Sequence, residues 1–441
     1  MLRKMIRALV WILLTGAIIH ILILLVQSTI HFDYTQVNVF SIIYLSKVWP
    51  ELGEGLTTAI ISWILAAVLF GLSYLIINQK ERTKNPAGGK VFYDARFIDP
   101  ERLDGVGRYS LELLKAYAQI NPDVTMIIYD EKQLARLPKL PYVILDNPYK
   151  FKQLRMSLRL NRLGAGVVFC PQQIFSGFGR RFKLILSLHD TIYYQFRRPP
   201  NWISLSDKVI WRLMYLTPLP HRLLLNQANV VVTVSKASRD DLMRRHLTDR
   251  PIEVVYNAPA ELKIIPAKTQ KTLVYMGSFM GYKNVETLIA ATNELPDYEL
   301  ILCSKIDPKR KEELMRGVSE TAKITWKNGI SDDEYAKILS SATALVSASR
   351  AEGFNLSPIE AMSTGTPVII SDLPVHHEIA GDAALFFNPD KPTELAKNVR
   401  KLEDEKLRSK MITAGYEQAG KFSWQKSAEK LNEVINSLQT K

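Results

Sequence analysis

The sequence predicts an α/β chain in which two Rossmann-like, doubly wound parallel sheets follow a pair of apolar helices. Three observations predict it. From residue 90 onward, short β-rich runs alternate with helix-period segments, the spacing of strand–helix–strand units. Several of those runs are apolar on both faces, as strands buried between helix layers must be. Ahead of them stand two long, charge-poor segments, 5–27 and 56–77, each long enough to cross about 30 Å of hydrocarbon as a helix. At 441 residues the chain is too long for one core, and about three structural units are expected.

The first segment, MIRALVWILLTGAIIHILILLVQ, has one early arginine and then an almost unbroken apolar run. It lacks a small-x-small cleavage site, and a second span follows, so residues 1–85 read as a helical hairpin kept in the mature protein. Arg3, Lys4 and Arg7 precede the first span, and Lys80, Arg82, Lys84 and Lys90 follow the second. The intervening loop has only Lys47 against Asp33, Glu51 and Glu54. Positive charge stays inside, so both termini and everything after residue 80 are expected in the cytosol, in the manner of a bacterial inner-membrane protein. His20, within the first span, reads as a neutral histidine bonded to the neighbouring helix, ahead of a proton site. Cys170 and Cys303 are the only cysteines and lie far apart, which fits a reducing compartment and offers no metal site. A formal charge of +13 asks for an anionic partner. Beside two membrane spans, acidic lipid and phosphorylated substrates come ahead of nucleic acid, and no nucleic-acid partner is expected. The oligomeric state is open.

In residues 90–257 the strands read KVFYDAR (90–96), VTMIIYD (124–130), GVVFC (166–170), KLILSLH (183–189) and NVVVTVS (229–235). In residues 271–421 they read TLVYMG (272–277), YELILCS (298–304), KITWK (323–327), ATALVSA (342–348) and PVIIS (367–371). The segment 257–270, with two prolines and little periodicity, reads as the linker. Ligands of open α/β sheets bind beyond the carboxyl ends of the strands, so two facing sheets put their crevices between the lobes.

The most informative stretch is AEGFNLSPIEAMSTGTPVII, residues 351–370. The strand ATALVSA delivers the chain into the loop 349–356. Ser357 is the expected helix N-cap and Pro358 the first helical residue. The short helix should end at Gly365, whose freedom at positive φ suits a C-terminal cap. Its N-terminus aims the N–H groups of Phe354, Asn355 and Leu356, with the helix dipole, into the crevice: an anion site, most simply for phosphate. Glu360 can then reach a ribose diol, and Glu352 hydroxyls on the far side of the phosphates. Two carboxylates flanking phosphates suit a nucleotide-sugar.

The pattern E-x7-E followed by A-M-x-x-G-x-P-V resembles the donor-binding motif of retaining glycosyltransferases of the GT-B fold, in their large fourth family. The likeness covers nearly all of residues 90–435. It implies that 90–257 is the acceptor lobe and 271–421 the nucleotide-sugar donor lobe, with FSWQKSAEKLNEVINSL (422–438), inside 422–441, as a closing helix returning to the first lobe. YMGSFMGYKNVETLIAA (275–291) is similar to the family's first strand–loop–helix of the donor lobe. There Gly277 and Ser278 would face the donor, Lys283 would pair with the diphosphate, and Asn284 would cap the helix beginning at 285. The family often has an arginine near this lysine; here those positions hold Tyr282 and Ser278, so Arg350 is the expected substitute contact to the diphosphate. Asn355 stands where glycine is common, and asparagine tolerates left-handed backbone better than most residues.

In DGVGRYSLELLKAY (104–117), Gly105 and Gly107 let the backbone approach a ligand closely, although Ser110 takes the place of a third glycine. The resemblance turns this loop toward the donor phosphates and the acceptor, with Arg108-Tyr109 matching. LILSLHDTIYYQF (184–196) puts His189 and Asp190 at a strand's carboxyl end. Alone, that reads equally as a buried histidine bonded to a carbonyl. The resemblance implies that His189 contacts the donor sugar and helps shape the reaction centre, with Asp190 in support. The implied catalytic set is His189, Glu352 and Lys283. The implied donor-binding set adds Gly105, Gly107, Asp190, Gly277, Ser278, Gly353, Phe354, Asn355, Leu356 and Glu360.

YKFKQLRMSLRLNRLG (149–164) carries Lys150, Lys152, Arg155, Arg159 and Arg162 without an acid. Such a face rests on anionic lipid or is simply solvated, and the segment 211–215 reads as its continuation. The activity implied is transfer of a hexose or deoxyhexose from a nucleotide-diphosphate sugar to a lipid-linked or polysaccharide acceptor at the cytosolic membrane face. It would be retaining, with no cofactor and no metal; the chain has no D-x-D pattern. A glycoside hydrolase needs two carboxylates flanking a scissile bond and gives the phosphate site no purpose. A nucleotide-sugar epimerase and a non-catalytic partner of an envelope-glycan assembly complex remain the alternatives.

Overall fold

A computed structural model describes residues 89–101, 103–148, 155–199, 205–265 and 267–439, with backbone alone at 205–207, 209, 210 and 213. Both apolar segments, 5–27 and 56–77, lie outside the described residues, as do Lys150 and Lys152. Among the described residues no helix is long and apolar enough to cross a membrane.

The described chain builds two all-parallel sheets. The first holds β1 (Lys90–Asp94), β2 (Thr125–Ile128), β3 (Tyr142–Ile144), β4 (Ala165–Cys170), β5 (Lys183–Ser187), β6 (Val230–Thr233) and β7 (Ile252–Val254), in the order β3-β2-β1-β4-β5-β6-β7. The second holds β8 (Thr272–Tyr275), β9 (Glu299–Leu302), β10 (Lys323–Trp326), β11 (Ala344–Ser347), β12 (Val368–Ser371) and β13 (Ala384–Phe387), in the order β10-β9-β8-β11-β12-β13. Each sheet reverses direction once, between β1 and β4 and between β8 and β11, which is where doubly wound sheets open a crevice.

Strand alternation explains the layers. Val91 and Tyr93 of β1 face one core with Val167 and Phe169 of β4, while Phe92 faces the opposite core with Val168. Both faces are therefore apolar, and helices cover both. On one face the helix Gly105–Ile120 packs Leu113, Leu114 and Tyr117 against the sheet. The final helix, Trp424–Gln439, lies in that same core through Leu431, Val434 and Ile435, so the chain's last described element packs on its first lobe. Ser427 Oγ fastens it by donating to the Tyr256 carbonyl at 2.7 Å. Cys170 and Cys303 are buried free thiols, one beside each sheet, and burial raises the pKa of both.

Three strands escape the sequence reading: β3, β7 and β13. All three are sheet edges. An edge strand has one neighbour and a partly wet face, so β3 shows exposed Tyr142 and Ile144, and β7 is half-buried throughout. β3 is only three residues long, and Glu253 interrupts β7. The strands that were read also stop short of their apolar runs. The run 183–189 leaves the sheet after Ser187, and the run 90–96 after Asp94. Of those departing residues, His189 lines the cleft.

The lobes meet through backbone groups. Ser235 Oγ and Ser238 Oγ of the first lobe donate to the Gly353 carbonyl of the second at 2.7 and 3.1 Å. In return, the Glu378 carboxylate accepts the N–H groups of Lys236 and Ala237 at 2.7 and 2.9 Å and the Tyr256 hydroxyl at 2.8 Å. It thereby caps the helix Lys236–Arg244 from the other lobe. A charged cap of this kind contributes about 1–2 kcal/mol. Glu378→Ala should lower the midpoint of thermal unfolding by a few degrees, and Glu378→Gln, which keeps one acceptor oxygen, by less.

Candidate active site

A cavity of about 850 Å³ lies between the sheets at the carboxyl ends of their strands. Eight segments wall it: the start of Gly105–Ile120 after β1, the residues after β5, β6 and β7, the turn after β8, the residues after β9 and β10, and the loop after β11. The structure brings into its lining Gly105, His189, Asp190, Gly277, Ser278, Lys283, Glu352, Gly353, Phe354, Asn355, Leu356 and Glu360. Two expected residues do not join them. Gly107 lies behind the wall, where its N–H donates to Asp104 Oδ1 at 2.7 Å and a Cβ would press on the Asp104 and Leu103 side chains. Its smallness serves the helix start, with Asp104 as N-cap, and not a ligand. Arg350 turns out of the cavity and pairs with Asp390 at 2.7 Å. Its substitution for the missing arginine is therefore not supported by its position.

The helix Leu356–Ser363 begins sooner than expected: Asn355 is its N-cap and Ser357 already lies inside. Asn355 has φ 72°, the left-handed conformation that asparagine accepts more readily than most residues. Its side chain leaves the first N–H groups of the helix uncapped, so the positive end of the helix meets the cavity. Gly365 closes the far end at φ +77°. Gly353 is required for a different reason. A Cβ there would stand 2.7 Å from the His189 carbonyl oxygen and 2.9 Å from Asp190 Cβ.

Lys283 Nζ lies 2.5 Å from Glu352 Oε1, with the two side chains 15% and 6% exposed. Ser349 Oγ donates to the same oxygen at 2.7 Å. Withdrawing both charges from water is costly, and the close geometry with a supporting hydroxyl offsets part of that cost. Lys283 is carried by a short turn, Gly281–Lys283, just before the helix Val285–Asn293. Asn284 stands at that helix's N-cap in left-handed conformation but does not cap it with its side chain, which instead donates to the Pro389 carbonyl at 2.7 Å.

Glu360 is buried, and burial raises its pKa, opposed chiefly by the nearby Arg108. Arg108 crosses from the first lobe, 3.8 Å from Glu360 Oε1 and donating to Asp332 Oδ1 at 3.0 Å. His189 Nε2 donates to the Pro171 carbonyl at 2.8 Å, which leaves Nδ1 as the ring's acceptor. Burial lowers the histidine's pKa, so the ring is neutral near pH 7. Burial also pushes the neighbouring Asp190 carboxyl up to about 6. Among the cavity residues that sequence reading missed are Lys305, Arg310 and Asp332. Arg310 donates to the Phe279 carbonyl at 3.0 Å and pairs with Glu286 at 2.5 Å, standing against the turn that carries Lys283. The helices of Arg310 and Asp332, Pro308–Met315 and Asp332–Ser341, start with dense charge, which in sequence reads as a solvated face.

A helix end, a lysine and two carboxylates around one crevice can hold a diphosphate between hydroxyl-bearing groups. A model described as "Glycosyl transferases group 1" matches residues 260–418, and one described as "Glycosyltransferase Family 4" matches residues 103–258. The chain thus resembles GT-B glycosyltransferases, those of group 1 in its second lobe and of family 4 in its first. Among similar proteins is the O-antigen chain mannosyltransferase RfbU of Salmonella typhimurium, 28% identical over 335 residues, which are 71% of this chain and 92% of that protein. The O-antigen chain mannosyltransferase B of Escherichia coli is 28% identical over 237 residues, 48% of this chain and 62% of that one. The fold matches that of a sucrose-phosphate synthase from Thermosynechococcus elongatus with a TM-score of 0.62, at 20% identity over 79% of this chain and 99% of the other. It also matches Anabaena HepE in complex with UDP and glucose, with a TM-score of 0.59, at 16% identity over 79% of this chain and all of the other.

Two outcomes test the geometry of this site. Gly353→Ala should push the lobes apart and lower kcat/KM by about 10²-fold, because displacement on the order of 1 Å is costly to oriented groups. Asp190→Asn should raise thermal stability near pH 8. With the folded pKa raised from 3.8 to about 6, the acid's stability contribution is full below 3.8 and is lost as pH rises through 6. The advantage of the asparagine variant, followed by thermal unfolding across pH, should shrink toward pH 5.

Proposed function

We propose that this protein is a glycosyltransferase that moves a hexose, most simply mannose, from a nucleotide-diphosphate sugar to a growing envelope glycan. The observation that carries the reading is the buried Lys283–Glu352 pair set beside the open N-terminus of the Leu356–Ser363 helix. A diphosphate entering there would share Lys283 with Glu352 and take the helix N–H groups, so that charge developing on the leaving group meets fixed positive partners. Glu360 would bind the ribose hydroxyls, exchanging part of its contact with Arg108 for them. Glu352, relieved of part of its lysine, would hold hydroxyls of the transferred sugar. His189, neutral and with Nδ1 as acceptor, would orient another. The sugar class comes from the O-antigen mannosyltransferases named above, and a nucleotide-sugar donor is consistent with the UDP held by HepE.

The finer reading is retaining chemistry without metal or cofactor, by attack of the acceptor on the face that the diphosphate leaves. The acceptor would be lipid-linked or a polysaccharide. The apolar segments 5–27 and 56–77 would anchor the enzyme, with both termini and the catalytic lobes in the cytoplasm at a bacterial inner membrane. Support for lipid contact comes from exposed Leu158 and Leu163 beside Arg155, Arg159 and Arg162, an apolar and basic face suited to acidic headgroups.

Purified protein offered a panel of nucleotide-sugars with and without membrane lipid extract should release nucleoside diphosphate from one donor. Lys283→Ala should lower kcat by about 10²–10³-fold, the scale of losing one preorganised partner of developing charge. Donor binding without turnover on any extract would favour a non-catalytic assembly partner instead. Anomeric configuration of the product, read by NMR, decides between retention and inversion.

A further inference from the structure

Asn355 bends the loop that leads into the Leu356–Ser363 helix, and its left-handed backbone is held from below. Its Nδ2 donates to His376 Nε2 at 3.0 Å and approaches Ser347 Oγ at 3.3 Å, while its Oδ1 accepts from Ser357 Oγ at 3.2 Å. His376 sits on the helix Pro374–Ala380 with no exposed surface. Its Nδ1 is 2.7 Å from the Ser371 carbonyl oxygen. A carbonyl only accepts, so the ring proton belongs on Nδ1 and Nε2 presents its lone pair to the Asn355 amide. The Ser371 hydroxyl does not compete for that nitrogen, because it donates to the Ser349 carbonyl at 2.5 Å. From Ser349 the network continues to Glu352, and from Glu352 to Lys283.

We infer that His376 is a positioning residue of the donor site: by accepting from Asn355 it holds the turn that aims the 354–356 backbone into the cleft. The inference rests on the reading of that cleft as a sugar-nucleotide site. A glycine at 355 would take the same backbone conformation unaided, so the asparagine and the histidine form one device. Protonation breaks it, since an imidazolium carries N–H at both nitrogens and Nε2 would face the amide donor. The ionisable groups around His376 are Glu352 from the loop, Lys283 from the turn before Val285–Asn293, and His377 on its own helix. Burial lowers the ring's pKa, so it stays neutral at pH 7 and charges only in acid.

The test measures donor kinetics, and GDP and UDP binding by calorimetry, for the parent, His376→Leu, His376→Gln, Asn355→Gly and the Asn355→Gly/His376→Leu double variant. His376→Leu should raise donor KM about tenfold, the loss of one hydrogen bond at a buried amide, and change kcat less. His376→Gln, whose amide oxygen can accept in place of Nε2, should stay within about twofold of the parent. In the Asn355→Gly background the leucine change should move KM by less than about twofold. Below about pH 6.5 parent KM should rise more steeply than that of the glutamine variant, which keeps only the titration of Asp190 and the other cavity groups. Equal losses from His376→Leu in both backgrounds would make His376 a packing residue and end the proposal. Identical acid profiles for parent and glutamine variant would remove its dependence on protonation. A parent that binds neither diphosphate defeats the sugar-nucleotide reading itself, which a binding parent with unaffected variants does not.

Discussion

One contact holds the cleft in register: the Gly353 carbonyl takes hydroxyl donors from Ser235 and Ser238 while its Cα side lies against His189 and Asp190. Gly353 belongs to the loop that carries Glu352 and Asn355. Locking its backbone to the first lobe therefore fixes both carboxylate and helix tip relative to His189. No side chain fits in that gap, and no pair of flexible side chains could set the distance as tightly as backbone against backbone. Glu378 acts at the same seam in the opposite direction, tying the start of a first-lobe helix to the second lobe.

Three of the cleft's cations are paired with acids of its own walls. Lys283 is matched by Glu352, Arg108 by Asp332 and Glu360, and Arg310 by Glu286 and Glu313. A dianionic ligand entering such a site exchanges partners with these walls and meets the uncapped helix end. Binding then selects for shape and hydroxyl placement as well as charge, because each displaced carboxylate must find a hydroxyl in return. That suits sugar and ribose, which offer hydroxyls on both sides of a diphosphate.

Much of this was legible in the sequence because the chemistry follows apolar strands directly. His189 and Asp190 come straight after the run ending at Leu188, Lys283 follows TLVYMG by one turn, and Glu352 leaves ATALVSA. What escaped depends on the direction of a side chain or on contacts distant in sequence. Arg350 and Glu352 are two residues apart, yet one faces Asp390 and the other the cavity. Gly107 looked like a ligand-side glycine, but its space is taken by Asp104 and Leu103. Asp332 lines the cavity and accepts from Arg108, 224 positions away. The edge strands β3 and β7 were hidden because each is only three residues long and partly wet.

Cys170 and Cys303 give this architecture a built-in means of observation. Each is a shielded thiol, one at the end of β4 in the first sheet and one just beyond β9 in the second. Neither lines the cleft, so a thiol-reactive dye cannot reach them while the lobes merely open and shut. Labelling instead demands that the surrounding sheet come apart. Peptide mapping of the modified sulfur would then report which lobe loosens first, with no engineered probe.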